Sequence, residues 1–165
     1  MNAVLDKAPA ARRVLVTGAQ GFLGRGLVEA LARAPHIEHV VAVDVRDVPP
    51  QSRLPRVTCV VQDVRDSALV DTVGLHAIDT VVHLASIVTP GKGSRRDFEY
   101  DVDVNGTRNL LQACVQQGVR RMVVFNTAAF PMLSDKKLPT TLRLVRNTRF
   151  GAMLVERFNA FAAGA

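Results

Sequence analysis

The 165-residue chain has no tryptophan, one tyrosine (Tyr100) and two cysteines, and aromatic residues make up only 5% of it. Two cysteines cannot build a multi-bridge scaffold or a four-thiolate zinc site, and no metal site is expected. Cys59 and Cys114 fall in an expected strand and an expected helix, where they read as small core residues of a reducing compartment. So few aromatics offer no stacking platform for bases, and no RNA-binding motif occurs, so nucleic acid is not an expected partner. No apolar run approaches the roughly 18 residues of a membrane span, which leaves the membrane without a role. Residues 1–11 contain acid and proline but no apolar h-region. They read as a disordered leader rather than a secretory signal, and a cytoplasmic location is expected. The tyrosine also lacks a basic neighbour one helical turn on, because the fourth residue after Tyr100 is Val104.

What is present is ordinary for one globular domain: 48% apolar residues and 22% charged. The net charge of +6 is concentrated late, since residues 128–165 carry six basic and two acidic side chains. That excess reads as solvated charge. Short Val/Ile/Leu runs at 13–16, 40–43, 57–61, 78–84 and 121–126 alternate with helical patterns at 22–33, 67–73 and 95–117. Pro35 stops the first helix and Gly118 is placed to end the third. Strand–helix alternation of this kind implies an α/β fold, a doubly wound parallel sheet with helices on both faces. The sheet is expected to stop after about five strands. Residues 12–128 then form one domain, and 129–165 a divergent basic tail with a terminal helix near 150–163.

The first strand runs into Thr17-Gly18-Ala19-Gln20-Gly21-Phe22-Leu23-Gly24, which opens the first helix. Strand before and helix after make this a dinucleotide-binding turn, and the sheet one of Rossmann type. Gly18 makes the tight exit, Gly21 lets backbone amides approach a pyrophosphate, and Gly24 lets helix and sheet pack closely. An acid, Asp44, closes the second strand 20 residues beyond Gly24, where a carboxylate accepts bonds from both adenosine-ribose hydroxyls. It repels a 2′-phosphate, so NAD is expected over NADP, although Arg46 two residues on is able to pair with that phosphate. Asp63 and Val64 follow the third strand; Asp63 either covers an adenine ring or caps the next helix.

These residues resemble the extended short-chain dehydrogenase/reductases, in their NAD-dependent epimerase/dehydratase branch, over about 13–126. TGAQGFLG is similar to that family's glycine motif, and Asp63-Val64 to its adenine contact. His83-Leu84-Ala85-Ser86 resembles its fourth-strand motif, which lies along the ribose and nicotinamide half of the cofactor. The cofactor-binding residues that the resemblance implies are Gly18, Gln20, Gly21, Phe22, Leu23, Gly24, Asp44, Asp63, Val64, Leu84, Ala85 and Ser86. His83, within that motif, reads as structural rather than catalytic. Asp103-Val104-Asn105-Gly106-Thr107 is similar to the family's Asn-Val-x-Gly-Thr, with Asp103 where the asparagine usually stands. A homodimer built from helices 95–117 and 150–163 is a further implication.

The family's hydride chemistry uses a tyrosine whose phenol is tuned by a lysine four residues on, and a hydroxyl at the end of the fifth strand. Here Thr127 supplies a hydroxyl, while Phe150 and Leu154 align with the tyrosine and lysine. Phenylalanine carries no proton and leucine tunes no pKa. The expected function is therefore the NAD(P)-binding part of an epimerase/dehydratase-like oxidoreductase, truncated and catalytically impaired. The alternatives are an active oxidoreductase or sugar-nucleotide epimerase, a non-catalytic NAD-binding module, and a relic of such a gene.

Overall fold

The computed structural model describes residues 12–87, 95–125 and, as backbone, 143–144. Its strands are β1 (Arg13–Thr17), β2 (His39–Asp44), β3 (Val57–Val61), β4 (Thr80–His83), β5 (Arg121–Val124) and β6 (Arg143–Leu144). They form one sheet in the order β3-β2-β1-β4-β5-β6, every adjacent pair parallel. The doubly wound parallel sheet expected from the alternation is the observed fold. The two-residue β6 lies outside the expected five strands and pairs Arg143 with Arg121 and Leu144 with Met122. The start of β5 is therefore not an open sheet edge, as a chain of five strands would leave it. Two residues are too few for a period to register in sequence.

Among the described residues, α-helical segments pack on the sheet. α1 (Phe22–Arg33) matches its apolar period, with Gly24, Leu27, Val28 and Leu31 buried. α2 (Leu69–Leu75) starts two residues later than the pattern implied. The 95–117 stretch divides into α3 (Arg96–Tyr100), a π-helical turn over Asp101–Gly106, and α4 (Thr107–Gln116). Gly118 ends it at φ +66, a left-handed position that suits glycine.

Alternation along β1 splits the core in two. Leu15 faces α2 and α4 and packs with Val41, Leu69, Val73, Val81, Leu110 and Cys114. Val14 and Val16 face α1 and pack with Leu27, Leu31, Ile37, Val40 and Val82. Side chains on both faces of the central strands are buried, which is why these strands read as unbroken apolar runs. Both cysteines are free, Cys114 buried and Cys59 half-buried in β3. The leader (1–11), Thr127, Phe150, Leu154 and the terminal helix near 150–163 lie outside the described residues.

Candidate functional site

Parallel strands bring their carboxyl ends to one edge of the sheet. The strand order reverses between β1 and β4, so a crevice opens there. A cleft of about 350 Å³ occupies that edge, lined by Gly18, Asp44, Arg46, Asp63, Val64, Ala85, Ser86, Ile87 and Phe98 among others. This is within the range of small-molecule sites.

Of the glycine turn, Gly18 lines the cleft, and Gln20, Gly21, Phe22, Leu23 and Gly24 are not among the lining residues. Gly18 adopts φ +66, and a Cβ there would lie 2.7 Å from the Ala85 nitrogen, so only glycine lets β1 exit beside the loop after β4. A Cβ on Gly24 would collide with the Gly18 carbonyl oxygen and Ala19. The N-terminus of α1 has no side-chain cap and no acidic residue in its first turn. The positive end of its dipole thus favours an anion there. Phe22, the first helical residue, is 75% exposed at the mouth of this turn; Leu23 is half-buried beside it.

Asp44 is the electrostatic centre. It is 8% exposed, and its Oδ2 accepts the Gln20 amide at 2.8 Å. Its Oδ1 accepts the Arg46 amide at 3.1 Å and Arg46 Nε at 3.2 Å. The carboxylate, which lines the cleft, therefore ties the glycine turn to the end of β2 with three of its roughly four acceptor sites and keeps one, on Oδ2. Arg46 is engaged with Asp44 through a largely exposed side chain.

Asp63 does not cap a helix: the residue preceding α2 is Ala68, without a side-chain cap bond. Its two oxygens are taken by Arg65, at 3.0 Å from Nε and 2.8 Å from Nη2. Those bonds to Arg65 hold the Asp63 carboxyl below its ordinary pKa against the opposing effect of burial. Arg65 also reaches Asp101 at 2.9 Å and lies 4.9 Å from the Phe98 ring centroid. It joins the loop after β3 to α3 and the π turn. Asn109 Nδ2 donates to the carbonyls of Val64 and Asp66, both at 2.8 Å. Gly106 admits Val64 against the helix, because a Cβ there would stand 2.6 Å from Val64 Cγ2. Sequence reading missed Arg65 and Asn109; both follow motif residues by two positions, and only the fold shows what they grip.

The fourth-strand motif divides. Ala85 and Ser86 line the cleft, whereas Leu84 packs with the α1-side core. His83 is 1% exposed, with Nδ1 2.6 Å from Thr17 Oγ1 and Nε2 2.9 Å from Thr107 Oγ1. Burial pushes its pKa down to about 4, so it is a neutral structural group at neutral pH. Asp103, standing where the resemblance has asparagine, accepts the Ile87 amide on Oδ1 at 3.0 Å, a bond that an asparagine oxygen in that place also accepts. Tyr100 is 52% exposed in α3.

Comparison with known proteins agrees with this geometry. The model of the 3-beta hydroxysteroid dehydrogenase/isomerase family matches residues 15–138. The chain is 36% identical over 142 residues to a 3-beta-hydroxysteroid dehydrogenase of Mycolicibacterium neoaurum, covering 79% of this chain and 38% of that one. It is 34% identical over 118 residues to a UDP-glucose 4-epimerase of Halalkalibacterium halodurans, covering 70% and 35%. Among solved structures, a uronate dehydrogenase variant of Agrobacterium tumefaciens complexed with NAD superposes with a TM-score of 0.59. Its identity is 32%, over 70% of this chain and 40% of that one. The chain thus spans about two fifths of the length of the relatives it matches.

Proposed function

The chain belongs to the 3-beta hydroxysteroid dehydrogenase/isomerase family, and on that premise we propose that residues 12–128 bind NAD in the cleft between the glycine turn and the Ala85–Ile87 loop. The observation that carries the reading is Asp44. A nearly buried carboxylate at the end of β2 is hydrogen-bonded to the glycine turn itself, beside a helix N-terminus that has no side-chain cap. The residues fit the cofactor. The turn leaves backbone where a Cβ would fill the space, α1 offers its N-terminus to the diphosphate, and Asp44 keeps an acceptor site on Oδ2 for the ribose. Asp63 and Val64 bound the adenine end, supported from behind by Arg65, Asn109 and Gly106.

When bound, NAD supplies a hydride acceptor. This chain's residues bind and orient it; a tuned phenol is absent, since no Tyr-x-x-x-Lys occurs in the 165 residues. We assign Thr127 the hydroxyl that holds a substrate oxygen, and we read the 165-residue chain as a binder with impaired turnover. NAD is preferred over NADP because the Asp44 carboxylate faces the position of a 2′-phosphate and Arg46 is already paired with it. Calorimetric titration of the chain with NAD and NADP tests the reading. Saturable binding that favours NAD is expected, with no absorbance change at 340 nm when hydroxysteroids, uronates or UDP-sugars are added. Absence of NAD binding by the folded chain refutes it.

A further inference from the structure

Five polar side chains are buried among the described residues, and three of them, Thr17, His83 and Thr107, touch one another. An apolar side chain would fill the place of His83 without the cost of burying an imidazole. The protons in this group can be assigned. Thr107 Oγ1 lies 2.5 Å from the Asp103 carbonyl, which only accepts, so the single hydroxyl proton of Thr107 is spent there. The contact between Thr107 and His83 must then be donated by Nε2–H. A neutral imidazole protonated on Nε2 has an accepting Nδ1, and Thr17 donates its hydroxyl proton to it at 2.6 Å. The bonds all run in one direction, from Thr17 through His83 and Thr107 to the carbonyl of Asp103.

Both ends of this chain grip one short segment. Thr17 Oγ1 accepts the Ala85 amide at 3.3 Å, and the Asp103 carboxylate accepts the Ile87 amide at 3.0 Å. Thr17 also holds the segment through its carbonyl, which accepts the Leu84 amide at 3.2 Å. β1, β4 and the π turn are therefore joined behind the Ala85–Ile87 loop, and that loop lines the cleft.

We propose that His83 and Thr107 are positioning residues: the ordered chain Thr17–His83–Thr107–Asp103 holds Ala85–Ile87 in the place where it lines the cleft, and so sets cofactor affinity without touching the cofactor. The part concerning affinity rests on the NAD-binding reading; the part concerning the loop does not.

Thr107→Val removes the acceptor for His83 and the donor to Asp103 at constant shape, and Thr107→Ser restores both. Amide hydrogen exchange in the full chain without ligand, the nitrogen spectrum of His83, and NAD titration are compared across the three proteins. In Thr107→Val, the Ala85 and Ile87 amides are expected to exchange about tenfold faster, the loss of roughly one hydrogen bond. Val41 and Val81 in the core should keep their rates, NAD affinity should fall, and Thr107→Ser should recover both. The unaltered chain should show the proton on Nε2. A proton on Nδ1, unchanged loop amides, or faster exchange spread evenly through the sheet overturns the proposal. Failure of the unaltered chain to bind NAD overturns the cofactor reading alone, because exchange and tautomer decide the loop's positioning in either case.

Discussion

Asp44→Asn separates the charge of the side chain at the centre of the site from its shape. The carboxamide is close to isosteric and its oxygen can still accept the Gln20 amide, now made at 2.8 Å, so the glycine turn stays anchored. What disappears is the charge facing the ribose, together with the second acceptor oxygen, which takes the Arg46 amide and Nε. Hydrogen bonds to a charged acceptor are worth about 1.5–3 kcal/mol, against about 0.5–1.5 kcal/mol for neutral ones. Weakening the ribose bonds accordingly costs about 2 kcal/mol, or roughly 30-fold in NAD affinity. The effect on NADP has the opposite sign. Unit like charges 4 Å apart repel by about 4 kcal/mol at an effective dielectric constant of 20. The substitution abolishes that repulsion and frees the Arg46 guanidinium, now 3.2 Å from Oδ1, to face the phosphate. NADP affinity should rise at least about tenfold, so the ratio between the cofactors moves by about two orders of magnitude. Titration calorimetry at fixed ionic strength measures both constants, and melting without ligand separates a binding effect from a folding defect. A folded Asp44→Asn protein with unchanged affinity for both cofactors would refute the assignment of Asp44 to the ribose.

Three further outcomes follow from the same geometry. Gly24→Ala puts a methyl group into the Gly18 carbonyl and Ala19, so it should destabilise the chain by about 1–3 kcal/mol, read as a lower Tm by calorimetry; an unchanged Tm would contradict the close helix–turn contact. His83 has a folded pKa of about 4, below its unfolded value near 6.5. The folded state binds fewer protons, so this contribution is complete above pH 6.5 and is lost as pH falls toward 4. It amounts to about 3 kcal/mol at 1.36 kcal/mol per unit. His39, also lowered, mainly by burial, acts in the same direction, whereas the depressed Asp63 carboxyl loses its contribution only at lower pH. Urea unfolding at pH 7 and pH 4.5 should show the drop, and equal midpoints would dispute the buried neutral imidazole. Finally, burial pushes the Cys114 thiol up to about 12 and also raises that of the half-buried Cys59. A thiol reagent at pH 8 should modify Cys59 slowly and Cys114 only after denaturation; rapid modification of Cys114 in the native protein would argue against the packing of α4.

The cofactor half of the molecule was legible wherever chemistry is local. The span of α1 follows from its apolar period and from Pro35, the Gly18–Gly24 turn from the backbone freedom of glycine, and Asp44 from its place at the end of an apolar run. Those signals are carried by residues adjacent in the chain. The π turn at Asp101–Gly106 was not legible, since an α-helical reading of 95–117 satisfies the same period. β6 was not legible either, because its two residues are held by pairing with Arg121 and Met122, more than twenty positions away. The choice between Asp63 as cap and Asp63 as cleft residue turned on Arg65, whose fork takes both carboxylate oxygens only once the loop after β3 is folded. His83 makes the same point most sharply. In sequence it is one residue of an apolar strand motif. Only when parallel pairing sets Thr17 beside it and α4 brings Thr107 across the sheet does it become the middle of a directed hydrogen-bond chain. Sequence by itself determined the order of the first five strands and of the helical stretches between them, the glycine turn and the acid at the end of β2, because each depends on short-range sterics and periodicity. Tertiary structure decided which polar groups meet, because hydrogen bonds between residues 66 and 24 positions apart exist only where the sheet has aligned its strands.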